Sequence, residues 1–515
     1  MKKSRARIRS ARAVALALSA VLLAGGAGGV TLSGKFLSPN ETDKGGAALR
    51  SDTDIVRADI DEVSHNQVYT SKAPYTAMGG GIYSDASVTL TRSGKELTLS
   101  YNSAEGDGSW RDARGGAVYA GGDITLSAAT VTLAGNEAET NSDYLVEAFG
   151  GALYSRGGVT ITADNGLNVR GNSADGKETG GGAVYAGGNI VLTGGVITVR
   201  DNSTDGENNT NGASSYGGAL NSGSGTVKLK AADEVLVSVN AVKRMTSWAS
   251  GGAISAYKGI TIEGGSVTVR DNTVATASSG EHKENNLAHG GALNSSAGDV
   301  TIAADGAVAL SNNALTDIGG SAAGGAVHTE KTFSLSGGSV KVSNNKADAS
   351  LGTWSHGGAV YAGGVKISST GAVEVSDNSV YSGSKTAYGG AVYTKKNFDL
   401  IGGGATISGN KADAGKGTQA NGGAIYAAGS ASLAVDYELT LEDNHAAATG
   451  SVRGGALYAE GDLSLSAGYV TLQNNSAAEA KAANAAGGAL YSYGSATISA
   501  DSFVTILNNS VAGKY

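Results

Sequence analysis

Carboxylates at recurring positions are the residues of this sequence whose type and spacing could support catalysis. Four aspartates each stand directly before an asparagine, and they are Asp201, Asp271, Asp377 and Asp443. Arg200 and Arg270 precede two of them, and carboxylates beside a basic residue are what polysaccharide lyases and hydrolases use. These aspartates, however, recur at matching positions, as copies of a repeat unit do. We therefore predict solvated corner charges, no catalytic residues and a protein that is not an enzyme; a polysaccharide lyase or hydrolase is the alternative.

The residue types in the sequence give little indication of a metal or cofactor site. The chain has no cysteine, which excludes disulfides, thiolate zinc sites, iron–sulfur clusters and cysteine nucleophiles. Its six histidines are scattered, and His282 and His289 stand seven residues apart without a third ligand nearby. The sequence accordingly predicts no metal site and no cofactor.

Aromatic residues in segments of variable length are the better candidates for binding. The residues in question are Trp110, Phe149, Trp248, His289 and Trp354. Exposed loops on a rigid scaffold commonly carry recognition, and aromatic side chains commonly anchor interfaces. We predict that these residues lie in ligand-contact loops; packing over the flank of the scaffold is the alternative.

These segments are the elastic part of an internal repeat. A motif Gly-Gly-Ala-aliphatic-Tyr, with variants, recurs thirteen times at a mean period of 34 residues, starting at Gly79, Gly115, Gly150, Gly181, Gly217, Gly251, Gly290, Gly324, Gly357, Gly389, Gly422, Gly454 and Gly487. An asparagine follows each first glycine by 21 to 23 residues, and the set is Asn102, Asn136, Asn172, Asn202, Asn240, Asn272, Asn313, Asn345, Asn378, Asn410, Asn444, Asn475 and Asn509. Only the interval from asparagine to the next glycine pair varies, with 8 to 17 residues between them.

The part of fixed length predicts short strands. In the second unit, Ala117–Tyr119, Ile124–Leu126 and Val131–Leu133 each alternate apolar with polar or small residues, and glycine pairs or small polar residues separate them. No unit shows the 3.6-residue period of a helix. Residues 76–515 are therefore predicted to form an all-β, right-handed parallel β-helix of about thirteen coils.

Two side-chain ladders follow from stacking such coils. The asparagine amides, which donate and accept together, are predicted to hydrogen-bond from coil to coil as a structural ladder. Tyrosine fills the fifth motif position in nine units, and Asn221, Ser255, Asn294 and His328 replace it in four consecutive ones. This tyrosine row should face outward, as a stabilising ladder or, alternatively, as a carbohydrate or protein platform.

The N-terminal residues indicate export. Residues 1–29 hold a basic segment, a 12-residue apolar run at Ala13–Ala24 and a small-residue stretch, which together predict a secretory signal peptide. Loss of six cations with that peptide takes the formal charge from −8 to −14, which disfavours nucleic-acid binding. No later segment is long and apolar enough to predict a transmembrane helix. Residues 30–75 lack the repeat and are predicted to be an N-terminal cap or linker.

The two alternating motifs resemble the repeats of chlamydial polymorphic outer membrane proteins, an autotransporter family whose repeats pair GGA-aliphatic with Phe-x-x-Asn. Small residues follow the asparagine here as well, for example at Asn172-Ser173-Ala174 and Asn475-Ser476-Ala477, although an aliphatic residue replaces the phenylalanine in every copy. The resemblance covers residues 79–511 and implies a surface-exposed or secreted passenger with an adhesive role, binding a protein or glycan of host or neighbouring cells. The last coil, Ser510–Tyr515, shows no polar cap, so we also expect an edge open to self-association.

Overall fold

The computed structural model describes residues 30–37, 46–70, 76–107, 111–141, 146–206, 214–245, 247–276, 287–316, 318–350, 352–479 and 484–512. Within these ranges all regular secondary structure is β-strand, and every strand pairing is parallel. The sheets stack as a β-solenoid of about thirteen turns, which confirms the fold class expected from the repeat. The predicted signal peptide, residues 1–29, and Trp110 lie outside the described residues.

One coil shows how the repeat folds. After the glycine motif come a short strand, Val118–Ala120, and a long strand, Ile124–Ala134, with a register shift between Ala128 and Thr130. The chain turns at Asn136, forms Glu137–Asn141, and returns through Glu147–Phe149 to the next motif. The segments 124–126 and 131–133, predicted as separate strands, are thus two halves of one strand. Two further strands lie in the part that was interpreted as loop.

Three sheets run along the solenoid. The largest has 34 strands. Its short motif strands are Leu49–Ser51, Ile82–Ser84, Val118–Ala120, Leu153–Ser155, Val184–Ala186, Leu220–Ser222, Ile254–Ala256, Leu293–Ser295, Val392–Thr394, Ile425–Ala427, Leu457–Ala459 and Leu490–Ser492. Its remaining strands are Val30–Ser33, Ile55–Arg57, Ile60–Ser64, Val88–Ser100, Ile124–Ala134, Val159–Arg170, Ile190–Arg200, Thr226–Ser238, Gly259–Gly264, Ser266–Arg270, Val300–Ala304, Ala307–Ser311, Val327–Gly337, Ser339–Ser343, Val360–Ser369, Ala372–Ser376, Phe398–Gly402, Gly404–Ser408, Ala431–Val435, Glu438–Glu442, Leu463–Gln473 and Ala496–Leu507.

The two smaller sheets are built from the residues between each asparagine and the next glycine pair. The second sheet, directly after the asparagines, comprises Phe36–Leu37, Gln67–Thr70, Ser103–Asp107, Glu137–Asn141, Ser173–Gly176, Ser203–Gly206, Ala241–Met245, Thr273–Thr276, Ala314–Thr316, Lys346–Ala349, Ser379–Ser382, Lys411–Asp413, His445–Ala448, Ser476–Glu479 and Ser510–Ala512. The third sheet, directly before the glycines, comprises Ala77–Met78, Ala113–Arg114, Glu147–Phe149, Glu178–Gly180, Ser215–Tyr216, Trp248–Ser250, Leu287–His289, Ser321–Ala323, Trp354–His356, Thr386–Tyr388, Gln419–Asn421, Ser451–Arg453 and Ala485–Ala486.

Two apolar cores fill the solenoid. The larger contains aliphatic side chains that point inward from the large sheet, such as Val118, Leu126 and Val131, each with no exposed surface. The smaller lies between the second and third sheets and consists mostly of alanine. Because alanine fills little space, the second and third sheets can pack close together.

The glycine pair explains how the third sheet turns into the large one. Gly389, first of its pair, has φ 65°, and a Cβ there would overlap the carbonyl oxygen of Val392. A Cβ on the second glycine, Gly390, would overlap the carbonyl oxygen of Gly423 in the following coil. The first glycine therefore supplies a left-handed corner and the second a close approach between coils.

Residues 30–75, interpreted from the sequence as a cap or linker, contribute strands to the same sheets where they are described. Leu49–Ser51 pairs with Ile82–Ser84, and Phe36–Leu37 pairs with Gln67–Thr70. Asn66 also occupies the corner that carries the repeat's asparagines. The segment is thus joined to the solenoid by the same hydrogen-bond pattern as the repeat units.

A second left-handed corner precedes each asparagine and leads to a prediction. The residue before the asparagine has φ between 53° and 64° in every coil for which both are described, and Val239, 49% exposed, is the β-branched member at φ 57°. A left-handed conformation costs a residue with a Cβ roughly 1–2 kcal/mol, and asparagine tolerates it best after glycine. We expect Val239→Asn to raise the free energy of unfolding by about 1 kcal/mol, measured by denaturant titration. The exposed strand residue Val56 provides the control: Val56→Asn should not stabilise, and equal effects of the two changes would contradict the strain argument.

Candidate ligand-binding surface

The asparagine ladder is continuous along the described coils. Asn345 shows its pattern: the amide oxygen accepts from both the backbone N–H and the side-chain amide of Asn313, each at 3.0 Å. Its amide nitrogen donates to the Leu310 carbonyl at 3.0 Å and to the Asn378 amide oxygen at 2.9 Å. Each asparagine thus links its coil to both neighbours through groups without solvent access, and Asn66 extends the ladder below Asn102.

The four candidate carboxylates occupy the left-handed corner beside this ladder. Asp201, Asp271, Asp377 and Asp443 have φ values of 54–57° and carry exposed or half-buried side chains. Arg200 pairs with Asp201 at 2.9 Å and Arg270 pairs with Asp271 at 2.6 Å. These contacts join neighbours in sequence and bring no further acidic or basic group to the corner. No cluster of three or more potential metal ligands occurs in the described ranges.

The predicted ligand-contact residues that are described lie on strands rather than in loops. Phe149, Trp248, His289 and Trp354 are terminal residues of three-residue strands in the third sheet. The central alanine of the first three strands is buried in or near the small core, whereas the terminal side chains face outward. Trp248 is 50% exposed and Phe149 is 8% exposed. The prediction missed this sheet because two or three residues around an alanine are too short to show alternation.

The tyrosine row faces away from the large core, as expected, but its rings are mostly covered by one another. Six of the nine described tyrosines are only 2–7% exposed. One stack runs from Tyr83 to Tyr185 with centroids 5.1–5.2 Å apart, and a second runs from His328 to Tyr491 at 4.8–5.5 Å. Because the rings stack along the solenoid axis, their faces are unavailable and only their edges meet solvent.

A second row of side chains from the third sheet packs against these stacks across the glycine corner. Phe149 stacks on Tyr185 at 4.7 Å, and Tyr388 stacks on Tyr426 at 4.8 Å. His289 lies 4.1 Å from His328, again ring on ring. The outer face of the third sheet and the tyrosine row therefore form one surface, which we call the aromatic face.

Three histidines in the aromatic face are held neutral. Burial first, and then the nearby Lys395 ammonium, lower the pKa of His356 to about 3. The same two causes, opposed by the Glu330 carboxylate, lower the pKa of His289 to about 4. Burial and the neighbouring His289 and Lys395 hold the pKa of His328 well below its usual range, although Glu330 lies 3.9 Å from its Nε2. The His328 Nδ1 hydrogen-bonds the Asn294 amide oxygen at 2.8 Å.

The sequence analysis also missed a polar ladder at the corner between the short and long strands. In each case a side-chain oxygen accepts a hydrogen bond from a backbone N–H of the following coil. The pairs are Asp123 with Gly158 at 2.7 Å, Asn189 with Thr226 at 2.9 Å, and Asp462 with Ser495 at 2.8 Å. An Asp or Asn eight residues after the first glycine was the available signal. Two open concavities of about 520 and 560 Å³ lie along this corner, lined largely by turn glycines and polar side chains without aromatic rings.

The connections that vary most in length lie at one edge of the solenoid. Two corners are constant in the coil described above and in its neighbours: two residues at the asparagine corner and three at the glycine motif. Between the second and third sheets, by contrast, the connection ranges from one residue after Gly176 to ten after Thr276. Sequence variation is thus concentrated beside the aromatic face.

The asparagine ladder gives a prediction with a matched control in the adjacent residue. Asn345→Asp replaces a donor to Leu310 and Asn378 with an acceptor and buries a charge, so it should destabilise by at least about 1–3 kcal/mol. Asn344, next to it, is exposed and left-handed, so Asn344→Asp should change stability by less than about 0.5 kcal/mol. Denaturant titration of both variants measures the difference, and similar losses would mean that the ladder amide contributes no more than an exposed one.

The neutral histidines predict acid sensitivity. In the unfolded chain they bind protons below about pH 6.5, whereas in the folded chain His289 and His356 bind them only near pH 4 and 3. The unfolded state therefore gains protons first, and stability should be complete above pH 6.5 and fall as the pH drops towards 4. Denaturation midpoints measured from pH 7.5 to 4.5 should show this loss, reduced in His356→Phe, which keeps a ring between Tyr388 and Tyr393. The His65→Asn variant, which removes an exposed histidine elsewhere, should retain the parent's loss; equal slopes in all three proteins would contradict this assignment.

Comparison of the chain with protein-family models, with curated proteins and with solved structures finds no match in any of the three. In the described ranges there is also no helix that is long and apolar enough to cross a membrane. The similarity to polymorphic outer membrane proteins therefore rests on the two repeat motifs alone.

Proposed function

We propose that this protein is a secreted or cell-surface adhesin-like scaffold that binds a protein or glycan of host or neighbouring cells. The observation that carries the proposal is the concentration of length variation at one edge of the rod. A corner of fixed length preserves the register of the ladders, whereas the edge between the second and third sheets tolerates insertions of one to ten residues. Such an arrangement places changeable recognition segments beside a rigid surface.

Residues of the aromatic face add to this argument. Trp248, half exposed, packs edge-on against His289 at 6.3 Å, and Trp354 stacks on His356 at 5.0 Å. Aromatic side chains that are already held by their neighbours lose little conformational freedom on binding and are typical interface anchors. The candidates predicted from the sequence thus remain candidates, now as strand residues next to the variable connections.

The sequence features at the N-terminus and the charge support the same location and partner class. The basic and apolar segments of residues 1–29 are those of a secretory signal peptide, and without them the formal charge is −14. An acidic surface favours neither nucleic acid nor anionic lipid as a partner. The alternative of a polysaccharide lyase or hydrolase needs an acid–base pair around one bond. The corner aspartates, each on a different coil, supply no such arrangement.

Cell binding by the purified chain tests this proposal. Beads coated with the protein should adhere to cultured epithelial or bacterial cells. The test variant combines Trp248→Ala with a shortened connection, in which Gly-Ser-Lys, the sequence of the shorter connection at 383–385, replaces residues 277–286. This variant should reduce adhesion by about tenfold or more, because it removes interface anchors. Lys228→Ala with Glu263→Ala, an exposed ion pair on the large sheet, is the control and should leave adhesion unchanged.

Two outcomes would contradict the proposal. One is an absence of saturable adhesion to any cell type for protein that is shown to be folded by circular dichroism. The other is turnover of a polysaccharide that a single Asp or Glu substitution abolishes, which would favour the enzyme.

A further inference from the structure

The tyrosine ladder is interrupted in the middle of the aromatic face. Tyr185 pairs in register with Asn221, Asn221 with Ser255, and Ser255 with Asn294 before the ring stack resumes at His328. Three successive coils thus place a small polar side chain where the coils on either side place a ring. A cavity of about 220 Å³ lies at the start of this break, and Tyr185, Asn221 and Ser255 line it.

One end of the cavity is an aromatic ring with a missing neighbour. Tyr185 stacks on Tyr154 at 5.1 Å and on Phe149 at 4.7 Å, both from preceding coils. On the side of the next coil it faces Asn221 instead of another ring. Tyr216 and Tyr257 also line the cavity, and Tyr257 is 50% exposed at its rim. The cavity therefore offers aromatic surface that is covered elsewhere in the ladder.

The floor of the cavity is polar. The Asn221 side chain is 7% exposed and lines the cavity beside Ser255. Ser255, 5% exposed, shares a hydrogen bond with Ser250 at 3.3 Å and accepts one from the Asn294 amide nitrogen at 3.5 Å. Buried amides and hydroxyls lose free energy when they lack partners, so this floor favours a ligand that brings its own donors and acceptors.

We propose that the break in the ladder is a binding site for one neutral pyranose ring of a glycan, which takes the place of the missing tyrosine ring. Its apolar face would stack on Tyr185, and its hydroxyl groups would bond to Asn221 and Ser255. The volume lies below the roughly 300–1,000 Å³ typical of drug-sized ligands, as suits a single ring. This site deepens the proposed adhesive function and rests on it for its biological meaning.

The charges around the cavity argue for a neutral sugar. Glu178 lines the cavity, and Glu147 precedes it in the same row of the third sheet. Asp112 accepts from the Glu147 N–H, and Arg114 forms ion pairs with Asp112 and Glu147 but not with Glu178. Burial first, and then these two carboxylates, raise the pKa of Glu178 above its ordinary value, so negative charge is already unfavourable there. A sialic or uronic acid would add a further carboxylate to this region. An aromatic side chain of a protein partner, in turn, would leave the polar floor without bonds.

Filling the break tests this site with changes that the repeat itself already contains. Tyrosine occupies this motif position in nine coils, so Asn221→Tyr and Ser255→Tyr should extend the stack and keep the fold. Tyr393→Phe is the control, because it changes a ladder residue where the stack is continuous and several coils away from the break. Asn221→Ala removes the floor amide without adding bulk and serves as a second variant if a filled variant fails to fold.

The probes are the methyl glycosides of glucose, galactose, mannose and N-acetylglucosamine, added to the full-length chain and observed by saturation-transfer NMR. We expect saturable binding of at least one of them. The dissociation constant should rise at least tenfold in Asn221→Tyr, Ser255→Tyr and Asn221→Ala and stay unchanged in Tyr393→Phe. Binding of none of the four sugars, or equal binding by parent and folded filled variants, would overturn the site.

Adhesion measured on the same variants separates this site from the proposed function. Adhesion that persists in the filled variants without sugar binding would overturn the sugar site and leave the adhesin proposal standing. Sugar binding without adhesion to any cell would support the sugar site and overturn the adhesin proposal. In a third outcome, the parent binds none of the sugars but still adheres to deglycosylated cells, and the filled variants lose adhesion. That outcome would overturn the sugar site and indicate a protein partner instead.

Discussion

The solenoid depends on one repeated interaction, the hydrogen bonds that asparagine amides make between successive coils. Each amide joins three coils: it accepts from the asparagine before it, donates to the asparagine after it, and donates to a carbonyl of the preceding coil, as Asn345 does to Leu310. These groups are buried, so any shift in register would leave several of them unpaired at once. The two-residue corner and the left-handed residue before each asparagine follow from this constraint, because the amide must enter the same position in every coil.

The same constraint determines where the chain is free to vary. The number of residues between the glycine motif and the asparagine varies by only two, because the long strands pair with neighbouring coils over many residues and take up the difference at one register shift. The short strands of the third sheet need only two or three paired residues and an alanine against the second sheet. Insertions between these sheets therefore cost little more than loop closure, which grows slowly with length. A rod whose register is fixed on one side can thus carry diverse segments on the other.

Much of this architecture could be predicted from the sequence, and the exceptions have physical reasons. The parallel β-solenoid and the positions of the asparagines followed from the period and from strict spacing. The third sheet did not, because strands such as Trp248–Ser250 are too short for alternation and stand next to segments of changing length. The N-terminal coil was missed because Gly46-Ala47-Ala48 replaces the glycine pair, although Gly46 keeps the left-handed corner with φ 88°. That the tyrosine ring faces are covered could not be predicted from the sequence, because it depends on the rings stacking along the solenoid axis.

A regular ladder is, for the same reason, a poor binding surface. When identical rings stack at the spacing of the coils, each ring satisfies its neighbours and offers a ligand only its edge, so regularity increases stability and removes recognition together. A ring face becomes available only where the repeat changes, and in the described coils this change is the run from Asn221 to Asn294. Small polar side chains there cost the stacking of three rings. The proposed sugar would restore part of that stacking, because its apolar face would cover the side of the Tyr185 ring where the next coil supplies no ring.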